Sequence, residues 1–450
     1  MQMSVTSINE PPEAGSVAAV ILPRDAHTVS RSMIDPNSLK VLYRLRQHGY
    51  LAYLVGGSVR DLLLGRQPKD FDVGTDATPE QVRKLFRNCR LVGRRFRLAH
   101  IMFGRTSLIE VATFRRKPLA EEIPAADDGG LLFAENVFGT PQQDAFRRDF
   151  TINALFYDVA DFSIVDHVGG LADLRAGVIR VIGDPDERFA EDPVRMLRAL
   201  EFSARLGFAL EQSIPEAIGR CAEQLRAAAP ARIREEILEL FRHKVAGSVI
   251  QKADRFGLLE YLLPNLKAGR PTFDLLRQLD MRTAAGKRIE EYFAMAVMNL
   301  EHFSQHILVD MSIGDVHVLA NRLLAGHCRH FTIASGVKHK ALELLIAFFR
   351  LQRGRGKRGE QRFLHHPATA EAVELYSLWC SAINCERELL ESWQRSLAGD
   401  EPAAERNSNK KVRRRRKKKP QHAGQEAGSE DKAAVDTEDG HSAESVTGDV

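Results

Sequence analysis

The run Leu54 Val55 Gly56 Gly57 Ser58 Val59 Arg60 Asp61 Leu62 Leu63 Leu64 constrains this chain more than any other stretch. An apolar, strand-like segment breaks at two glycines and restarts with helical spacing. Backbone at Gly56–Ser58 can therefore lie where a side chain would block a ligand. Such a turn suits a phosphate, although ordinary turns also use paired glycines. A few residues later, Lys69 Asp70 Phe71 Asp72 Val73 reads as a short strand that would put both carboxylates on one face and Phe71 on the other. Two acids side by side favour a divalent cation.

The pattern around this run predicts a small α/β unit. Leu39, Val41, Leu42 and Leu45 mark a helix over Ser38–His48 that leads into a strand at Leu51–Val55. Thr78 Pro79 Glu80 Gln81 has the form of a capping box with proline at the first helical position, so a helix to about Phe86 is expected. Strands are expected at Ile101–Phe103 and over Leu108–Arg115, the latter beside the strand bearing Asp70 and Asp72. Glu110 is then either a further active carboxylate or an edge acid paired with Arg115 or Arg116. Residues 117–135, rich in Pro, Ala, Gly and acids, read as a mobile excursion, and 164–182 as a hairpin-like excursion.

From Glu191 the pattern turns helical. Asp192 is a candidate N-cap with Pro193 at the first position, and Asp192, Arg195 and Arg198 recur every three residues on one face. That face is either solvated or built to bind. Beyond Gly207 helical periodicity continues, broken by proline or glycine. Gln352 Arg353 Gly354 Arg355 Gly356 Lys357 Arg358 Gly359 is either a phosphate-contacting loop or a flexible connection.

Composition narrows the setting. No stretch reaches the ~18 apolar residues needed to cross a bilayer, and the apolar island Val17–Leu22 is too short for a signal-peptide core. Five scattered cysteines, without zinc spacing, read as reduced thiols, so a cytoplasmic protein is expected. Lys or Arg fills nine of the ten positions 410–419, and the polar, mostly acidic remainder cannot bury enough apolar surface to fold.

The glycine run and Asp70-x-Asp72 together resemble the signature of the nucleotidyltransferase superfamily, in the class that holds bacterial poly(A) polymerases and tRNA CCA-adding enzymes. Arg147 Arg148 Asp149 Phe150 Thr151 Ile152 Asn153 Ala154 resembles a second block of that class residue for residue, and Glu191–Leu200 resembles its base-recognition helix. Leu91 Val92 Gly93 Arg94 Arg95 Phe96 Arg97 Leu98 Ala99 His100 resembles the stretch that separates the poly(A) polymerases from their CCA-adding relatives.

The resemblance implies an α/β nucleotidyltransferase head with a small mixed sheet, then an all-helical neck and body and a disordered basic tail. The divisions it implies are a flexible N-terminus (1–31), a catalytic head (32–184), a neck for base recognition and RNA binding (185–270), an RNA-binding body (271–400) and a tail (401–450). It implies template-independent addition of AMP from ATP to RNA 3′ ends, on mRNA fragments and small RNAs, in mRNA processing and decay. The alternative is CCA addition to tRNA. Asp70 and Asp72 would hold two Mg²⁺ ions, replaceable by Mn²⁺, and Gly57 and Arg60 the triphosphate. Asp149 would complete the acidic cluster, a place Glu110 also competes for, while Arg148, Asp192, Arg195 and Arg198 would fix ribose, phosphate and base. RNA-decay proteins would dock through the tail.

Overall fold

One eight-stranded mixed sheet, with strands nearly continuously buried at its centre, organises the computed structural model, which describes residues 18–93, 97–104, 107–118, 137–385 and 387–399. Its strands are β1 (Val20–Leu22), β2 (Ala52–Val55), β3 (Asp72–Thr75), β4 (Cys89–Val92), β5 (Leu98–Phe103), β6 (Ser107–Thr113), β7 (Leu155–Asp158) and β8 (Ile164–Asp166). They run in the order β1-β8-β7-β2-β3-β6-β5-β4. Every neighbouring pair is antiparallel except β3 and β6, which run parallel with Val73 opposite Val111. The expected pairing of the Glu110 strand with the Asp72 strand is therefore present.

Helices cover the sheet because their apolar stripes meet it. Asp35 caps α1 (Pro36–Gln47) by accepting the N–H groups of Asn37 and Ser38, and Val41, Leu42 and Leu45 of that helix are fully buried with Leu54 and Val73 of the sheet. The glycine run turns from β2 into α2 (Gly57–Leu63). In α3 (Pro79–Leu85) the Thr78–Gln81 capping box is formed in both directions. A second box, Thr140 with Gln143, opens α4 (Pro141–Arg147).

Three local expectations change. Asp70 precedes β3 rather than lying in it, so the two aspartates do not share a strand face. The segment 164–182 is no hairpin: β8 joins the main sheet, α5 (Gly170–Ala176) follows, and β9 (Val178–Ile179) pairs in parallel with β10 (Ala209–Leu210). Asp166 causes this turn, since its carboxylate accepts N–H groups from Val168, Gly169, Gly170 and Leu171 and so starts the helix. Residues 20–22, assigned by polarity to a flexible lead-in, form edge strand β1 against β8. A three-residue strand carries no periodicity, and its backbone pairing depends on an edge built elsewhere.

The chain continues through α6 (Pro185–Glu191) and α7 (Val194–Leu206), which starts one residue later than expected with Pro193 as its N-cap. Then follow α8 (Ser213–Cys221), α9 (Pro230–Arg242), α10 (Ala246–Arg255), α11 (Leu259–Leu262), α12 (Arg270–Ala284), α13 (Glu291–His306), α14 (Ile313–His330), α15 (Ser335–Gln352), α16 (Glu360–Leu364), α17 (Ala368–Ile383) and α18 (Glu388–Ala398). No described helix is long and apolar enough to cross a membrane. The chain divides into residues 1–394 and 395–450, and of the second unit the described residues are the end of α18 and Gly399. Arg94–Phe96, most of the 117–135 excursion and the basic tail lie outside the described residues.

Candidate active site

At the end of β2 the backbone of Gly56 takes φ +73° and ψ −134°, a conformation that residues with a Cβ rarely adopt. A Cβ there would also stand 3.0 Å from Arg148 Nη1. Gly57 then opens α2 on the wall of a cleft of about 410 Å³, which is also lined by Arg60, Asp72, Arg148, Asp149, Asn153, Arg198, Phe202 and Arg205. The cleft thus collects the glycine turn, the start of β3, the segment after α4 and one face of α7.

Its cationic wall is organised by a phenylalanine. The guanidinium carbons of Arg60, Arg198 and Arg205 lie 5.1, 5.4 and 5.0 Å from the centroid of the buried Phe202 ring. Each cation is attracted to that ring, and each also has its own carboxylate: Asp61 at 2.8 Å, Asp149 at 2.7 Å and Glu201 at 3.3 Å respectively. These partners hold three like charges together. Arg60 is almost fully buried and donates to Asn153 Oδ1, and burial lowers its pKa.

Asp149 is saturated. Its Oδ2 accepts from Arg198 Nε at 2.9 Å and Nη2 at 2.7 Å, and its Oδ1 accepts from the Phe150 N–H and from Asn153 Nδ2. Burial by itself would raise its pKa, but Arg198 and the hydrogen bonds outweigh it and hold the carboxyl below its ordinary value. Arg148 is aimed by Asp144, which it meets at 3.0 and 3.2 Å, and by the Asn153 carbonyl. Arg188 ties α6 to this segment by donating to the carbonyls of both Arg147 and Arg148 at 2.7 Å.

The acidic edge is different in kind. Asp72 keeps accessible surface but stands in the crowded floor of the cleft, and this desolvation, with the charges of Glu110 and Asp70, pushes its carboxyl up to about 6. Glu110, on the parallel neighbour strand, is within 3.3 Å of His100. Asp70 is exposed, with Lys69 3.9 Å away. Among the described residues no three His, Cys, Asp or Glu groups form a ready metal cage. Carboxylates that leave most of a coordination sphere open fit Mg²⁺, which prefers hard oxygens and keeps places for water and substrate phosphate.

Of the residues expected from sequence, Gly57, Arg60, Asp72, Arg148, Asp149 and Arg198 meet in the cleft. Asp192 and Arg195 do not line it: Asp192 accepts from Arg232 at 2.7 Å, while Arg195 donates to the Arg188 carbonyl and to Glu191. Sequence reasoning missed Asn153, Phe202 and Arg205. The signal was present for two of them, because Arg198, Phe202 and Arg205 are spaced four and three apart and so share a helix face.

A sequence model described as the poly A polymerase head domain matches residues 52–180. A second, described as the probable RNA and SrmB-binding site of polymerase A, matches residues 207–280. The chain is 41% identical over 403 residues to poly(A) polymerase I of Salmonella typhi, covering 85% of this chain and 86% of that protein. With the CCA-adding enzyme of Lactobacillus helveticus it shares 40% identity over 203 residues, 45% of this chain and 49% of that enzyme. The solved Bacillus stearothermophilus CCA-adding enzyme in complex with CTP is similar in fold, with a TM-score of 0.59 at 28% identity over 81% of this chain and 83% of that one.

Proposed function

Because the chain belongs to the poly(A) polymerase I family of nucleotidyltransferases, we propose that it extends RNA 3′ ends with AMP from ATP, releasing pyrophosphate, as a step in mRNA processing and decay. The observation that carries this reading is the juxtaposition, in one cleft, of a glycine-opened backbone, the arginines around Phe202 and the crowded acid Asp72. A triphosphate needs the first two and a phosphoryl-transfer centre needs the third.

In this reading Asp70 and Asp72 hold Mg²⁺, which supplies charge neutralisation at the phosphates and acidifies the attacking 3′-hydroxyl. Glu110, whose charge already acts on Asp72, is the better candidate for a third carboxylate. Asp149 acts as a positioning residue, since all its hydrogen bonds serve Arg198, Asn153 and the backbone. Gly57 leaves room for a phosphate beside the N-terminus of α2, while Arg60 and Arg148 supply charge to it. Arg198 and Arg205 extend that positive wall along α7. Asp192 and Arg195 read the adenine edge only after Asp192 exchanges its Arg232 partner, so substituting Arg232 should alter nucleotide choice as well as substituting Asp192.

The deciding experiment incubates the purified protein and Mg²⁺ with a generic RNA, with a tRNA lacking its CCA end, and with each NTP separately. Long runs of A on the generic RNA are expected. Addition that stops after C, C and A on the tRNA, with the generic RNA untouched, would make it a CCA-adding enzyme.

A further inference from the structure

We propose that the loop between α15 and α16 and the helices around it form a second RNA site, which grips the phosphate backbone without reading bases. The inference rests on the reading above that the substrate is RNA. A cleft of about 490 Å³ opens here, lined by Arg350, Arg353, Lys357, Arg358, Arg362 and His366, with Glu360 the only acid among the described lining residues. That acid is already taken: Arg355 Nε donates to it at 2.7 Å, and the Gly356 N–H donates to its other oxygen. Among the described residues, none of the five lining arginine and lysine side chains pairs with a carboxylate. Arg353 Nε is buried with no hydrogen-bond partner among the described residues. Concentrated positive charge left uncompensated in a concave site calls for an anion.

The aromatic rings identify which part of the RNA fits. Trp393 and Phe363 are almost wholly buried at the cleft, and their faces are occupied by cations, with Arg355 4.7 Å from the Trp393 centroid and Arg350 5.6 Å from that of Phe363. Neither of these two faces is free for a base, and the exposed imidazole of His366 is the one small ring left among the described lining residues, so the cleft offers charge above all. The loop holds its shape through Gly354, Gly356 and Gly359, all at positive φ, and through Arg355, which also donates to the Ser392 carbonyl at 2.9 Å. Lys357 and Arg358 at its tip are exposed. A strand that enters the catalytic cleft by its 3′ end can therefore be held further upstream with no sequence preference.

The test uses the full chain, a Lys357→Ala/Arg358→Ala double variant and Arg362→Ala, with thermal unfolding confirming that each folds as the wild type does. Affinity for a short and a long single-stranded RNA is measured against salt without nucleotide, so a failure of the nucleotide-addition reading leaves the result interpretable. Two lost phosphate contacts should lower the slope of log affinity against log salt by about 1.4 for the long RNA, at ~0.7 per contact on single strands. The double variant should bind that RNA roughly tenfold more weakly at low salt, and Arg362→Ala should lose about half as much slope. The short RNA should be bound as before. Inorganic phosphate and pyrophosphate are titrated in parallel. If the double variant loses a saturable phosphate site but keeps the wild-type slope and affinity for long RNA, the cleft serves a free anion and the RNA assignment falls. It falls equally if neither RNA nor phosphate binding changes.

Discussion

The cleft around Asp72 and the helical body use carboxylates differently. In the body, acids close helix ends: Glu301 accepts the N–H groups of Gly269 and Thr272 at the start of α12, and Asp280 accepts those of Ala246 and Gly247 at the start of α10. Each answers backbone donors that would otherwise lie unpaired. In the cleft Asp72 accepts no hydrogen bond among the described residues, and desolvation with the charges of Glu110 and Asp70 outweighs the charge of Arg148. The body's acids therefore cap helices, and Asp280 does so at an ionisation cost, whereas Asp72 carries such a cost without a backbone donor to answer and, on the proposed function, serves a ligand.

The largest effect expected from this contrast is at Asp72. Asp72→Asn should reduce nucleotide addition about a thousandfold or more, in line with several kcal/mol of lost transition-state stabilisation. The same change should raise the melting temperature in EDTA above pH 6, because the folded-state pKa is raised and the ionised carboxylate is penalised there. Loss of activity accompanied by lower stability would erase the distinction between the regions.

Next is Phe202. Its replacement by Ala should cost about 3 kcal/mol in chemical denaturation, as other buried Phe truncations do, and should raise KM for ATP by dispersing the guanidiniums of Arg60, Arg198 and Arg205. Phe348, fully buried in the body against Phe303, Tyr376 and Trp379, is its control. Phe348→Ala should cost as much stability with KM unchanged. Equal KM effects from the two would show that the cleft ring merely fills space.

Smaller changes should come from the helix caps and from pH. Glu301→Ala takes the acceptor from three donors, the Gly269 N–H and the Thr272 N–H and hydroxyl, and should cost about 2 kcal/mol with kcat unaltered. Asp280 is pushed up to about 6 by burial, which outweighs its two backbone hydrogen bonds. Folding therefore holds its proton more tightly than the unfolded chain does. The resulting stability is complete below the ordinary carboxyl pKa and is lost as pH rises through about 6. His327 titrates in the other sense, since burial lowers it to about 4 and its contribution is lost as pH falls from about 6.5 towards 4. Thermal unfolding across pH 4–8 should show a flatter alkaline limb in Asp280→Asn and a flatter acid limb in His327→Gln.

The sequence by itself determined the local machinery. Gly56 and Gly57 announce a backbone that must turn where no side chain fits, Thr78 and Gln81 announce a helix start, and the apolar spacing of α1 announces its buried stripe. These depend on residues within a few positions of one another, so the chain order carries them. Charge assignments between distant segments were not legible. Asp149 reads in sequence as an acid beside two arginines, but α7 brings Arg198 onto it from 49 residues away, and this pairing occupies its Oδ2. Asp192 and Arg195 share a periodic face with Arg198, yet Arg232 on α9 and the end of α6 claim them first. Phe202 became the hub of three cations only when α2 and α7 met around it. A carboxylate's role depends on which donor reaches it, and for these residues that donor was decided by how separate elements pack.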